Sequence, residues 1–345
     1  MVITEQLKSN QSYQKYLMRR NEAWRRAKKD LDFSFSREKM NKNELGDNLI
    51  TKGGQVLQMS NRCVKVEEQK QTMPAWRDEF LYQVMLKQSY DLCFSLSDSL
   101  KWEDQQSQKG LSRILCVVEK GESAHLSQYL NGSGLRILDI VIRSGATLRH
   151  DVYLNAKAYD YINVYVDEKG TYEQIYALGG SARRATRVLL VGDESSAKLS
   201  GCLSTSEYFS EHVVIDHLGK STQSSHKINT AIDGRCDVSS EVRVHKGAVN
   251  SESKQSIEHL LLSDTARAFS KPALEISVDE VACEHGTTMS MIDDQLLFYM
   301  LTRGLDKVSA REMYLNGFIG RAYELYPECK SEMVEFIQKV RHGQR

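Results

Sequence analysis

Short apolar runs separated by polar turns fill the chain from about residue 80 to residue 282. They are YQVML at 82–86, RILCVV at 113–118, LRILDIVI at 135–142, DVYLNA at 151–156, YINVYV at 161–166, RVLLV at 187–191, HVVIDHL at 212–218, EVRVH at 241–245 and ALEISV at 273–278. Several alternate apolar and polar side chains, as a half-buried strand does. Gly121, Gly145, Gly170, Gly192, Gly219 and Gly247 punctuate the runs at intervals of roughly 25 residues. A strand–turn–strand unit recurring at that interval predicts a β-solenoid, whose rungs bury their inner faces by stacking on one another. A β-sandwich is the competing architecture, but its turns recur at roughly 8–12 residues.

The flanks read differently. Tyr13, Tyr16, Leu17 and Trp24 recur at helical spacings near the N-terminus. The expected division is a helical and loop region over 1–75, a β-solenoid core over 76–290 and a helical region over 291–345. In the last, Ile292, Leu296, Leu297, Tyr299 and Met300 fit a helix closed by Arg303-Gly304. A second helix starts near Asp306 or Ser309 and carries Met313, Leu315, Phe318 and Tyr323, with Pro327 marking its end. A third spans 331–341 with Met333, Phe336, Ile337 and Val340 on one face. These helices either cover the end of the solenoid or lie in a partner's groove, with Phe298, Tyr299, Phe318 and Tyr323 as aromatic anchors.

Composition narrows the function. The 345 residues carry a formal net charge of +0 at pH 7, so no basic surface for nucleic acid or anionic membrane is expected. Seven scattered cysteines without CxxC spacing argue against a disulfide framework or a zinc ribbon and for a reducing compartment. The N-terminus lacks the apolar core of a secretion signal, and no apolar run reaches the ~20 residues of a membrane helix. The cytoplasm is the expected location. Gly219-Lys220-Ser221-Thr222 mimics the end of a phosphate-binding loop, but Val214 stands where its first glycine belongs.

The candidate chemistry sits in Cys283-Glu284-His285-Gly286. On an extended strand, residues two apart share a face, so Cys283 and His285 present a thiol and an imidazole side by side, while Glu284 points the other way. Both are ligands suited to iron or zinc, and together they make half of a four-ligand site. His226, His245 and His259 are expected to face solvent, and Cys202 and Cys236 to face inward as packing residues.

The stretch KPALEISVDEVACEHGTTMSMIDDQLLFYMLTRGL, from Lys271 to Leu305, resembles the C-terminal signature of the SufB/SufD family of iron–sulfur cluster assembly proteins, its SufD branch in particular. The residues from Ser225 to Ser263 resemble the family's preceding rungs. Ser256 stands where SufB-like chains place a cluster-building cysteine. The resemblance implies a mainly β protein, a right-handed parallel β-helix flanked by N- and C-terminal helical regions. It implies a non-catalytic scaffold that pairs with a SufB-like scaffold and binds a SufC-like ABC ATPase through its C-terminal helices, assigned here to Phe298, Tyr299, Arg303 and Phe318. A transient iron–sulfur cluster or iron would be held at the seam by His285, Cys283 and Glu284, the first two as metal ligands. No nucleic acid or membrane partner is implied. The alternatives are a SufB-like scaffold or a homodimer carrying the cluster itself, and, from another class, a β-helix enzyme acting on polysaccharide. The last needs a stripe of acidic or arginine side chains along one face, and none is apparent.

Overall fold

Twenty-residue strands stacked in parallel form the first turns of a coil. The computed structural model describes residues 92–343 and, between 45 and 65, the backbone of four short strands. Those four are β1 (Leu45–Gly46), β2 (Asn48–Lys52), β3 (Gln55–Ser60) and β4 (Cys63–Lys65). The helices expected near the N-terminus and the run at 82–86 lie outside the described residues. β5 (Leu92–Leu96) leads into β6 (Ser99–Val118), β7 (Ser123–Ile142) and β8 (Thr147–Val166). Thereafter each turn of the coil holds two shorter strands. The front sheet contains β9 (Thr171–Gly180), β11 (Ser196–Thr205), β13 (Gln223–Ile232), β15 (Ser251–Leu261) and β17 (Val281–Met291). The back sheet contains β10 (Arg183–Leu190), β12 (Tyr208–His217), β14 (Arg235–Val244) and β16 (Arg267–Ile276).

All front-sheet and back-sheet pairings from β7 onward are parallel and in register, and the β6–β7 pairing is parallel with one irregularity between Gln106 and Gly110. Ser123 pairs with Thr147, Thr147 with Thr171, Thr171 with Ser196, Ser196 with Gln223 and Gln223 with Glu252. The interval grows from 24 to 29 residues along that series, which is the loose repeat of roughly 25 seen in the glycines. The result is a parallel β-solenoid of about seven turns.

One corner of each turn takes a left-handed backbone. Gly121 and Gly145 supply it in the first turns (φ 73° and 68°), then Lys169, Glu194, Ser221 and Asn250 supply it with φ between 54° and 59°. The amide of each corner residue donates to a carbonyl of the next turn: Gly145 to Glu168, Lys169 to Asp193, Glu194 to Lys220, Ser221 to Val249 and Asn250 to Glu280, at 2.7–2.9 Å. This ladder pairs the backbone donors of exposed corner residues from turn to turn, and it holds non-glycine residues in a conformation they adopt at a cost. The phosphate-loop mimic lies on such a corner.

Two cores result. Inside the coil, Phe94, Trp102, Ile140, Val164, Leu190, Ile215, Val242 and Ile257 stack between the sheets. This interior is also polar in places. Arg184 is buried between Asp160 (3.3 Å) and Glu211 (2.7 Å), and also donates to Gln174 at 3.0 Å. Burial raises both carboxyls, and the Arg184 charge opposes that rise. Tyr176 lies against this guanidinium and shares a hydrogen bond with His226 at 2.8 Å.

Outside the coil lie three helices, α1 (Asp294–Thr302), α2 (Lys307–Gly320) and, after a 3-10 turn, α3 (Pro327–Arg341), of which α2 and α3 cover the front sheet. Leu315, Phe318, Tyr323, Met333 and Ile337 pack on Tyr153, Ile175, Cys202, Ala231 and Leu260 of that sheet. The Tyr323 hydroxyl donates to the Tyr176 carbonyl at 2.7 Å. The helices therefore lie along the side of the solenoid and leave its end uncovered, contrary to the capping expectation. Asp306 caps α2, accepting from the Val308 and Ser309 amides. Gly304 (φ 93°) follows α1 as expected. Pro327 opens α3 instead of closing α2, because proline suits the first helical turn, where its missing N–H costs nothing.

Candidate functional site

The last turn of the coil is where the chemistry-bearing residues collect. β16 pairs with β14 and β17 with β15, and neither has a partner on its other edge among the described residues. The interior side chains of these strands face no further rung. Ile276, Met289 and Met291 are exposed in consequence, while Phe269 is exposed on the outer face.

Register settles which way each candidate ligand points. Cys283 pairs with Ser253 and His285 with Gln255, both buried interior positions. Cys283 packs against the interior core and His285 is exposed beside it. Burial pushes the Cys283 thiol up, opposed by the Ser253 backbone N–H that lies against its sulfur. Glu284 is on the outer face and forms an ion pair with Lys254, so it does not join the other two. The alternation of β17 thus presents one thiol and one imidazole at the open end. Among the described residues no cluster of three His, Cys, Asp or Glu side chains is arranged to hold a metal ion. Two donors are half of a four-coordinate set.

A groove of about 650 Å³ runs across the starts of β11, β13, β15 and β17 to this edge, lined by Ser224, Ser253, Lys198, Lys254 and Cys283 among others. Beneath it sits a buried set of hydroxyls around His217 that reading the sequence did not find. His217 Nδ1 lies 2.7 Å from Thr222 Oγ1 and its Nε2 2.8 Å from Ser224 Oγ, which is 2.8 Å from Ser253 Oγ. The available signal was Ser224 and Ser253, one rung apart in front of Cys283.

Other expectations are corrected. His226 and His259 are buried inside the coil, not solvent-facing. Burial pushes them down to about 3 and about 4, so both are neutral hydrogen-bonding groups. His226 bonds Tyr176 and Ser240, and His259 bonds Thr230. His245 lies elsewhere, paired with Asp216 at 2.8 Å. Cys236 faces the interior, but Cys202 lies on the outer face under the helices. Of the docking residues, Phe298, Tyr299 and Arg303 are exposed on and after α1, with the Arg303 guanidinium over the Tyr299 ring. Phe318 is turned into the helix–sheet core and is withdrawn as an accessible anchor, since α2 places it on the face that covers the front sheet.

Among the described residues no helix is long and apolar enough to cross a membrane. Comparison with known proteins agrees with the architecture. Residues 102–318 match the family described as SUF system FeS cluster assembly, SufBD core domain. The chain is 26% identical over 184 residues to the iron-sulfur cluster assembly protein SufD of Escherichia coli, covering 52% of this chain and 43% of that protein. It is 26% identical over 230 residues to the iron-sulfur cluster assembly SufBD family protein slr0076 of Synechocystis, covering 64% and 46%. It is 25% identical over 235 residues to Protein ABCI7, chloroplastic, of Arabidopsis thaliana, covering 62% and 49%. The chain spans less than half the length of each of these relatives. With the solenoid, its unsealed last rung and a match over most of the coil all in agreement, this chain belongs to the SufB/SufD family of iron–sulfur cluster assembly proteins.

Proposed function

We propose that this chain is a SufD-like, non-catalytic scaffold subunit, which pairs end to end with a SufB-like scaffold and shares a nascent iron–sulfur cluster, or iron, across the seam. The observation that supports this reading most is the open last rung. Cys283 and His285 share one face there, and among the described residues both β16 and β17 have an unpaired edge beside exposed apolar side chains. A second solenoid seated on that end would cover the apolar rim, pair the strand edges and supply the missing ligands. The cluster is cargo and leaves with the product. Glu284, held outward by Lys254, takes no part.

A SufC-like ABC ATPase is assigned to α1, where Phe298, Tyr299 and Arg303 stand exposed outside the helix–sheet core. Its hydrolysis cycle would move the scaffold ends and open the seam. We assign the complex to the cytoplasm. The test is co-expression with the cell's SufB- and SufC-like proteins, then size-exclusion chromatography with mass measurement and anaerobic reconstitution with iron and sulfide. A co-eluting complex is expected, and His285→Ala should keep that complex but lose the cluster absorbance. A chain that ignores both partners, or full cluster formation by His285→Ala, overturns the assignment.

A further inference from the structure

Two neighbouring columns on the outer face of the front sheet bring three lysines together. In one column Glu173, Lys198, Ser225, Lys254 and Glu284 follow one another from rung to rung. In the next, two residues along, the order is Ile175, Ser200, Lys227, Ser256 and Gly286. Lys198 lies between Ala197 and Leu199, both in the interior core, so strand alternation turns its column outward. Rungs are about 4.8 Å apart, and residues two apart on a strand are separated by about 7 Å. Lys198 and Lys254 therefore stand about 10 Å apart with Ser225 between them, and Lys227 stands beside Ser225 on the middle rung.

The 3-10 turn between α2 and α3 closes the remaining side. The Ser200 hydroxyl donates to the Ala322 carbonyl, Lys227 Nζ to the Arg321 carbonyl at 2.7 Å and Asn229 Nδ2 to the Phe318 carbonyl at 2.9 Å. These bonds pin the turn against the sheet. The pocket they enclose measures about 160 Å³ and is lined by Lys198, Lys227, Lys254 and Arg321, with Glu324 as its one acid among the described residues. Ser225 and Ser256 lie half-buried in its wall. Four cations thus meet one carboxylate, and like charges held this close repel unless an anion enters. Their present partners sit at the margins: Lys198 pairs with Glu173 at 3.7 Å, Arg321 with Glu258 at 2.9 Å, Lys227 with Glu324 at 3.4 Å, and Lys254 with Glu284. Exposed pairs of this kind are worth little. An ammonium group also has three donors, so each lysine keeps at least one for a ligand.

We propose that this pocket binds a phosphate group, held by the Lys198, Lys227 and Lys254 ammonium groups and the Arg321 guanidinium beside the Ser225 hydroxyl. Arginine offers a planar fork to two phosphate oxygens, and lysines act as point charges around the others. The volume takes one tetrahedral oxyanion and leaves no room for a nucleoside. Anything esterified to the phosphate would lie in the larger groove, which Lys198, Ser225 and Lys254 also line and which reaches the last rung. The inference goes beyond the scaffold reading and does not rest on it.

The test is titration calorimetry of the purified full chain with inorganic phosphate at pH 8, in chloride at constant ionic strength. Saturable binding to one site is expected. Lys198→Gln and Lys254→Gln should each weaken it about tenfold, because a hydrogen bond to a charged group is lost, and should leave the midpoint of thermal unfolding unchanged. Lys339→Gln removes an equal charge from the exposed surface of α3 and should leave binding unchanged. Methyl phosphate, titrated in parallel, separates the two sources of this chemistry. Affinity equal to that for phosphate assigns the site to phosphate monoesters, and affinity at least tenfold weaker assigns it to the free anion. The proposal is overturned if no saturable binding is seen, or if both glutamine variants in the pocket bind within twofold of the parent. It is also overturned if Lys339→Gln weakens binding as much as Lys254→Gln, which marks a response to net charge alone. Neither iron nor a partner enters the assay, so its failure leaves the scaffold assignment standing, and failure of assembly with SufB- and SufC-like partners leaves this result readable.

Discussion

Replacing Arg184 by methionine tests how the polar interior of the coil is held. Arg184 is fully buried and lies between two fully buried carboxyls, at 3.3 Å from Asp160 and 2.7 Å from Glu211. Removing one partner of a buried ionic group while leaving the others costs about 3–5 kcal/mol, because a charge remains uncompensated in a low-dielectric site. Here two carboxyls remain. Burial already holds both above their ordinary range and Arg184 opposes that, so the substitution raises them further. The sign of the pH dependence follows. A carboxyl raised in the folded state favours folding below its unfolded value and loses that contribution as pH rises through its folded value. Arg184→Met should therefore be most destabilised near pH 8 and recover as pH falls toward the ordinary carboxylate range. Urea unfolding followed by far-ultraviolet circular dichroism at pH 8 and pH 5 measures the difference. Hydrogen exchange should localise the loss to β8, β10 and β12, since a solenoid couples mainly adjacent rungs. Adding Asp160→Asn and Glu211→Gln should recover at least half of the deficit at pH 8. A loss below about 1 kcal/mol, or a deficit that does not shrink at pH 5, would refute the reasoning.

Three further outcomes are expected. Phe318→Ala should cost about 3–5 kcal/mol by opening a cavity between α2 and the front sheet, read as a lower midpoint of thermal unfolding. Phe298→Ala should leave that midpoint unchanged and weaken binding of the SufC-like ATPase at least tenfold in titration calorimetry, as loss of an aromatic anchor does. Asn250 holds φ 58° at a corner whose amide still needs its bond to Glu280. Asn250→Gly keeps that donor and relieves the backbone, so stability should rise by about 0.5–1 kcal/mol.

Half of the coil was legible as alternation. The back-sheet strands β10, β12, β14 and β16 overlap the apolar runs RVLLV, HVVIDHL, EVRVH and ALEISV, whose inward side chains Val188, Leu190, Val213, Ile215, Val242 and Val244 are apolar. The front-sheet strands β9, β11 and β13 read TYEQIYALGG, SAKLSGCLST and QSSHKINTAI. Their inner positions include Gln174, Ser224 and His226, which look solvent-exposed in a sequence. They are tolerated inside because the rungs above and below, and the facing sheet, supply their partners. Ser253 lies 29 residues from Ser224 and Tyr176 50 from His226, so no local window contains both partners.

What the sequence determined by itself is therefore the period, and with it everything local. The turn interval implied stacking, the alternation of β17 put Cys283 and His285 on one face with Glu284 on the other, and glycine after Arg303 ended α1. Local geometry suffices for these because side-chain direction on a strand and the backbone freedom of glycine are set within a few residues. Tertiary structure decided what lies across rungs. It sent α2 and α3 along the front sheet and left the end open, since the outer face of that sheet offers Ile175, Ala177, Cys202 and Leu260 to cover. It buried Phe318 while exposing Phe298. It also joined His217, Ser224 and Ser253 beneath Cys283, because a coil of rungs brings residues nearly thirty apart to hydrogen-bond distance, and only the register says which ones meet.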